Sequence, residues 1–466
     1  MKLMRTLKGF FKAIDNLSKP KIWESSLEKI TEENNYLRKL INKDGVSIYG
    51  VNTRPGHRDI EKVELVDLVG YQQELLSSHA IDAGLPNYSK YTARCITFSK
   101  IYSWSAGMSG VSPALFNSLS DLSVDPSFSP KIPKHSSYSS GDVIPASHWA
   151  LAVLDELRQK KGYIAQHGEA MALINGNFIQ IGYAASIVEK LRISWLFFLE
   201  LCSISTVISK ANISNLFLFS TSERSFSNVA LEYVKERSEA YRKDVQDPVS
   251  LRAIPQVIDV LAVSIEEYLE EINYYLFKPS GNPLYDVSSN APLSQSSFLL
   301  PTLTIKAGAL IEALLFAMWS IIGRTNFLLS GSVEGIPKDA SNESSSLALI
   351  QYPKYMMSIL EKARLDYGRR IYSSGSSTSY GTEDLWNNGL NVLNQLESLL
   401  GDFIELGSCE LYIFKYIQDN HDANISERFP LLCALQGDCK LKDVSYKVRS
   451  YIEGKAHLEY KDLFPV

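Results

Sequence analysis

The chain has 466 residues, of which 45% are hydrophobic and 21% charged, and its formal net charge is −5. This composition is typical of a globular protein with a large core, and the slightly acidic charge argues against binding to nucleic acid or to an anionic membrane. The five cysteines are widely spaced without a CxxC pair, which favours the reducing cytoplasm over a disulfide scaffold. The seven histidines do not fall at ligand spacing with cysteines or carboxylates, so we expect no metal.

The first residues, 1–14, alternate basic and apolar side chains. This pattern predicts an amphipathic helix, and we expect no secretory signal here, because it contains neither a long apolar segment nor a cleavage site. We favour an ordinary terminal helix, since such short patterns are common, over a helix that binds a membrane surface.

Helical periodicity dominates the rest of the chain. It predicts helices over 23–42, 63–83, 149–158, 182–210, 255–277, 298–329, 345–370 and 385–406, and a helix–turn–helix over 93–119. The apolar runs 191–208 and 307–322 contain charged residues and are too short to cross a bilayer, so we interpret them as buried bundle helices. Strand signals are few, and the predicted fold is a mainly α long-helix bundle with its active site in loops between helices.

The polar and glycine-rich segments between these helices are predicted loops. They include 49–58, 135–148, 168–176 and 373–381. We predict a single unit over 1–466, in which residues 1–215 carry most of the active-site loops and residues 216–466 form the long-helix bundle.

Several loop motifs follow one another in a distinctive order. They are Tyr49-Gly50-Val51-Asn52-Thr53, Ser78-His79-Ala80, Gly107-Met108-Ser109-Gly110, Ser139-Ser140-Gly141-Asp142, Glu169 to Gly176 with Asn175, Gln246-Asp247 with Ser250-Leu251-Arg252, Phe298, and Thr378-Ser379 with Glu383-Asp384. Singly, each has a plain structural interpretation, such as a turn for Asn175-Gly176 or a helix cap for Glu383. Together, over residues 25–406, they resemble the aromatic amino acid lyase and 2,3-aminomutase family.

The resemblance implies a histidine ammonia-lyase type of fold, related to that of fumarase, and a set of roles. The cofactor would be a 4-methylidene-imidazole-5-one formed from Ser139-Ser140-Gly141. Catalytic roles would fall to Tyr49 as the base, to Asn175 and to Glu383. Substrate contacts would come from Ser78, His79, Gln246, Val249, Arg252 and Phe298. The resemblance also implies a homotetramer whose sites combine loops of different chains.

The residue types suit this chemistry. Arginine at 252 offers bidentate recognition of a carboxylate that lysine does not match, and the amide of Asn175 both donates and accepts. A tyrosine acts as a base at neutral pH only when its pKa falls well below the usual ~10.

The chain departs from the family pattern near the expected site. Ser139 replaces the usual Ala, Val249 replaces a second Tyr, and Arg54-Pro55 replaces Gly-Phe. We predict an ammonia-lyase that acts on an aromatic amino acid, and Ser78-His79 favours the polar rings of histidine or tyrosine. A 2,3-aminomutase that gives a β-amino acid, and a catalytically inactive structural or binding relative, are the alternatives.

Overall fold

The structure is a computed structural model that describes most of the chain. The described residues are 6–64, 67–81, 84, 86–135, 141–212, 225–238, 246–289, 291–341, 347–367, 385, 388–421, 429–435, 440–455 and 463–464. Within these ranges the fold is helical, as predicted, with no strand beyond three isolated bridges.

The helices are numbered here in chain order. The earlier ones are α1 (Leu7–Asp15), α2 (Lys21–Ser25), α3 (Leu27–Ile41), α4 (Leu68–His79), α5 (Lys90–Ser105), α6 (Pro113–Ser123), α7 (Val143–Lys161), α8 (Glu169–Ile174) and α9 (Phe178–Ile208). The later ones are α10 (Ser225–Arg237), α11 (Val249–Arg252), α12 (Ile254–Leu276), α13 (Pro301–Leu328), α14 (Gln351–Tyr367), α15 (Gly389–Asn420), α16 (Pro430–Cys433) and α17 (Leu441–Lys455).

Two predicted loops are partly helical. The loop predicted over 135–148 ends at Asp142, because α7 begins at Val143. Pro145 lies in the first turn of α7, where a missing N–H breaks no helical hydrogen bond. The turn predicted over 168–176 contains the six-residue helix α8, which is too short to show a periodic pattern.

The chain divides into two compact units, each built from separate stretches. Unit 1 comprises Met1–Ile187, Leu269–Ile305 and Ile371–Leu393, and unit 2 comprises Val188–Tyr268, Lys306–Arg370 and Asn394–Val466. The predicted division near residue 215 stays a prediction. The residues predicted to act in catalysis belong to stretches of unit 1, whereas the expected carboxylate-binding segment belongs to unit 2.

Helix α1 is an ordinary terminal helix, as predicted. Its apolar face buries Leu7, Phe10 and Ile14, and the ring of Phe10 meets the ring of Phe98 on α5 edge to face at 6.4 Å. The hydroxyl of Thr6 caps the helix by accepting from the N–H of Gly9 at 3.2 Å, which satisfies one of the unpaired amides of the first turn.

Two stretches are long and apolar enough to cross a membrane by length and composition, Glu169–Ile208 and Pro301–Leu328. The most apolar window of the first is 94% buried inside the protein, and that of the second is 67% buried. Such burial is typical of core helices in a bundle.

Candidate active site

The loop that carries Tyr49 follows α3 and is closed by its own side chains. Asn52 accepts from the N–H of Ile48 at 2.6 Å and donates to the carbonyl of Val46 at 2.9 Å. Gly50 has φ +68°, and a Cβ added there would lie 2.1 Å from Cε of Met171 on α8. Met171 ends in a flexible methyl group that can move aside, so the positive φ is the main reason that this position favours glycine.

Tyr49 is half-buried, and the N–H of Gly56 donates to its phenolic oxygen at 2.9 Å. A donated hydrogen bond stabilises negative charge that develops on an oxygen. The loop thus presents a phenol whose oxygen is already oriented by the backbone.

Arg54, one of the departures from the family pattern, braces the same loop. Its guanidinium lies 3.7 Å from the carboxylates of Glu61 and Glu74 and 5.8 Å from the ring centre of Tyr71. Tyr71 donates to the carbonyl of Thr53 at 3.2 Å. Burial raises the pKa of Tyr71 to about 12, so this hydroxyl keeps its proton and remains a donor.

Asn175 lies at the C-terminal end of α8, and the start of that helix is firmly anchored. The buried carboxylate of Glu169 accepts from the hydroxyls of Ser112 at 2.6 Å and Tyr163 at 2.7 Å, and from the N–H of Gln166 at 2.6 Å. Gln72 of α4 accepts from the N–H of Ala170 at 2.8 Å. These bonds fix the helix that positions Asn175.

The side-chain amide of Asn175 is unusual in its pairing. Its Nδ2 lies 3.8 Å from the sulfur of Met171, whereas its buried Oδ1 has no hydrogen-bond partner among the described residues. Asn175 also lines a cavity of about 10 Å³ with Ser109 and Ser280. A buried amide oxygen without a partner costs about 1–3 kcal/mol, so this oxygen is an acceptor for a donor the size of an ammonium group or a water.

Gly141, the last residue of the predicted cofactor triad, lies beside Phe298. A Cβ added at Gly141 would lie 3.6 Å from Cβ of Phe298, an ordinary contact distance. The carboxylate of Asp142 follows immediately and accepts from Nε2 of Gln180 at 2.7 Å, both groups being buried. Gln180 thereby fixes the backbone that leaves the triad.

The segment of Asn175 is connected to the segment of Phe298 by hydrogen bonds. Nδ2 of Asn177 donates to the carbonyl of Ser297 at 3.3 Å, and its backbone N–H donates to the hydroxyl of Ser280 at 2.7 Å. The structure therefore joins Gly141, Phe298 and the Asn175 segment within unit 1.

Ser78 and His79 form the last turn of α4, which packs against α7 and α8. Nδ1 of the half-buried His79 lies 2.7 Å from the carbonyl of Leu75, so in the neutral ring Nδ1 carries the proton. The other nitrogen, Nε2, then has a lone pair, and no described residue bonds to it. It can accept from a polar group on a ligand.

The predicted carboxylate-binding segment lies in unit 2, on the short helix α11. Arg252 is exposed, and its Nε donates to the carbonyl of Asp247 at 2.7 Å. No described carboxylate forms an ion pair with it, so its remaining N–H groups can bind a carboxylate of a ligand in the bidentate mode. Gln246 is exposed, and Val249 is 66% exposed.

Three predicted site residues, Ser139, Ser140 and Glu383, lie outside the described residues. Within the described ranges there is no group of three or more His, Cys, Asp or Glu side chains placed to hold a metal.

Two residues of unit 1 contact the site and were missed by the sequence analysis. Gln180 gave no signal, because its partner Asp142 is distant in sequence. Lys100 gave a weak sequence signal, since it is the only charged residue in residues 95–105 of α5. Its amine donates to the carbonyl of Asn175 at 2.7 Å.

Residues 6–423 match the family model for aromatic amino acid lyases. The chain belongs to the aromatic amino acid lyase family. The match includes every motif described above, from Tyr49 to Glu383. The protein is thus a member of an enzyme family of ammonia-lyases and aminomutases.

Individual members of the family are distant relatives of this chain. A probable histidine ammonia-lyase of Thermoplasma acidophilum is 25% identical over 374 residues, 73% of each chain. Among solved structures, the ergothionase of Treponema denticola has a TM-score of 0.85 at 16% identity and covers 97% of this chain and 98% of its own. The tyrosine aminomutase of Streptomyces globisporus has a TM-score of 0.81 at 16% identity, with coverages of 99% and 98%. The two structures confirm the fold of this lyase family.

Proposed function

We propose that this protein is an ammonia-lyase that eliminates ammonia from an aromatic L-α-amino acid to give the α,β-unsaturated acid. The observation that carries the proposal is the buried, unpartnered Oδ1 of Asn175, in a segment bonded to that of Phe298, which contacts Gly141. The ammonium of an amino acid supplies the donor that this oxygen lacks.

The described residues fit the methylidene-imidazolone that the family resemblance implies. Gly141 packs beside Phe298 without a close contact, and Asp142 is held by Gln180, so the backbone on this side of the triad is fixed. Asn175 would hold the group through its amide. When formed from Ser139-Ser140-Gly141, the group supplies an electrophile that makes the substrate amine a better leaving group.

The chain's own residues would perform the remaining tasks. Tyr49, with its oxygen oriented by Gly56, would take the β-proton of the substrate. Arg252 would bind the substrate carboxylate, and Glu383 would complete the polar side of the site. We also propose that the protein is a cytoplasmic homotetramer, with Arg252, Gln246 and Val249 of one chain completing the site of another. Their exposure in the single chain supports this assignment.

The proposed substrate has a polar aromatic ring, as in histidine or tyrosine. The lone pair of His79 Nε2 accepts from an imidazole N–H or a phenol, and Ser78 next to it offers a hydroxyl. A phenylalanine ring offers no donor to the lone pair of His79 Nε2, which disfavours it. The name of the Thermoplasma relative is consistent with this preference.

Replacing Arg252 by Lys should weaken substrate binding, although both side chains carry a positive charge. Lys keeps the cation but loses the planar pair of donors, so we expect KM to rise about ten-fold or more, from the loss of about 1.5–3 kcal/mol. Steady-state kinetics measure this. A matched change of the exposed Arg364, which pairs with Glu361 on α14, should leave KM unaltered. Equal KM values for wild type and Arg252→Lys would contradict the assignment.

Intact-mass spectrometry tests whether the cofactor forms. Condensation of the triad releases one water and removal of the Ser140 hydroxyl releases a second, so the wild-type mass should be lower than the sequence mass by two waters. Ser140→Ala has no hydroxyl to eliminate and should not show this double loss, whereas Ser137→Ala, outside the triad, should. An unmodified wild-type mass would favour the second alternative, a catalytically inactive structural or binding relative.

The runner-up activity is a 2,3-aminomutase that returns ammonia to the β-carbon. The bracing of the Tyr49 loop by Arg54, Glu61, Glu74 and Tyr71 favours it, because a stiff loop retains the unsaturated acid for re-addition. Product chromatography separates the two activities: a lyase gives new near-ultraviolet absorbance from an arylacrylate, and a mutase gives a β-amino acid.

A further inference from the structure

Lys100 lies in the middle of α5 and is buried in the core of unit 1. The whole residue is only 1% exposed to solvent. Its Nζ lies 4.2 Å from the ring centre of Phe178 and 5.4 Å from that of Trp104. Lysine is almost never fully buried without a charged partner, and no described carboxylate forms an ion pair with Lys100.

A single polar atom is bonded to the Lys100 amine among the described residues, the carbonyl oxygen of Asn175 at 2.7 Å. An ammonium has three N–H donors, whereas one acceptor faces it here, so the site suits an uncharged amine better. Burial acts in the same direction, since it holds the pKa of the Lys100 amine well below its ordinary value.

The carbonyl that Lys100 binds belongs to the peptide that joins the end of α8 to Gly176. Asn175 is the residue that ends α8 and has an extended conformation, with φ −91° and ψ 141°. Gly176 follows with φ +130°, and a glycine permits rotations of the adjoining peptide that other residues resist. The N–H groups of Asn175 and Asn177 are bonded to Met171 and Ser280 on either side, and the Lys100 amine holds the carbonyl between them.

We infer that Lys100 is a positioning residue whose amine fixes the Asn175–Gly176 peptide and, through it, the side-chain amide of Asn175. The hydrogen bond from Lys100 sets the direction of the Asn175 carbonyl, and the side chain leaves the same Cα. What that amide binds rests on the proposed function, but the positioning itself does not.

Hydrogen–deuterium exchange of the purified full-length protein tests the positioning directly. Lys100→Met keeps most of the volume and removes the donor, so peptides covering residues 172–177 should exchange about ten-fold faster, as expected for the loss of one hydrogen bond. Lys100→Gln, whose shorter side chain does not reach the carbonyl, is the second variant and should show the same change. Lys190→Met, an exposed lysine on α9, is the control and should show none. Unchanged exchange over 172–177 in both Lys100 variants would overturn the inference.

Kinetics on the substrate that the wild type turns over provide the second readout. Lys100→Met should lower kcat about 10–100-fold, as is typical when a residue that orients an active group is lost. If Lys100 acts through Asn175, the double variant with Asn175→Ala should be no worse than Asn175→Ala alone. Additive losses would contradict this route.

The two readouts separate this inference from the proposed function. A wild type that is inactive on every aromatic amino acid, combined with faster exchange over 172–177 in Lys100→Met, would reject the function and retain the positioning. An active wild type, combined with unchanged exchange over 172–177 in the Lys100 variants, would retain the proposed function and reject the positioning.

Discussion

Tyr49→Phe should lose about 10²–10⁴-fold of kcat on any substrate that the wild type turns over, since this range is what a positioned general base contributes. Phenylalanine fills the same space in the loop, and the change removes the hydrogen bond that the N–H of Gly56 donates to the hydroxyl. The stability loss should therefore stay near 0.5–1.5 kcal/mol. Stopped-flow or steady-state absorbance measurements give kcat, and a thermal melt gives the stability.

Tyr71→Phe is the matched control for this prediction. Tyr71 lies against the same loop and also loses a hydroxyl, but burial raises its pKa to about 12, so it does not ionise at neutral pH. Its loss removes the hydrogen bond to Thr53 and should change kcat only a few-fold. If Tyr49→Phe retained more than a tenth of the wild-type kcat, the base would have to be another residue.

The order of motifs along the chain was enough to predict the fold, and the site residues that it assigned stay a prediction. Tyr49, Asn175, Gly141 and Phe298 were all predicted to act together, and the structure joins the last three through contacts within unit 1. The fold prediction succeeded because the family resemblance relates residues that are distant from one another in the sequence. Periodicity alone reports only local structure, and it missed the short helix α8.

The contacts that position the site residues could not be predicted from the sequence. Nothing in the residues near Asn175 indicates that Lys100, 75 positions earlier in the chain, donates to its carbonyl. Burial decides this contact, and a single sequence shows a lysine in an apolar helix without showing what surrounds it. The same holds for Gln180 and Asp142, whose buried hydrogen bond depends on the packing of two helix termini.

Unit 2 contains a buried arginine, Arg324, that has no role in the proposed function. Arg324 on α13 and Glu410 on α15 are both 0% exposed and form a bidentate pair, with Nε–Oε1 at 3.3 Å and Nη2–Oε2 at 3.1 Å. The hydroxyl of Ser320 accepts from Nη1 at 3.0 Å. The charge of Arg324 is balanced by the carboxylate that faces it.

Arg324→Met should destabilise the protein by about 3–5 kcal/mol, because the change leaves Glu410 buried without its cation. The midpoint of urea unfolding measures this loss. Exposed pairs contribute only about 0–1 kcal/mol, so Lys190→Met, which breaks the exposed pair with Glu397, should move the midpoint little. The double variant Arg324→Met/Glu410→Met replaces both charges by apolar groups and should recover most of the loss.

The pH dependence of the same variant distinguishes charge burial from lost packing. Burial raises the pKa of the Glu410 carboxyl, and Arg324 opposes that rise. Removing Arg324 must therefore raise this pKa further. A group whose pKa is higher in the folded than in the unfolded state stabilises the fold fully at low pH, and this stabilisation is lost as the pH rises towards the folded value. The deficit of Arg324→Met relative to wild type should thus be smaller at about pH 6 than at about pH 9. A deficit that is equal at both pH values would show that the cavity left by the guanidinium, not the unpaired carboxylate, causes the instability.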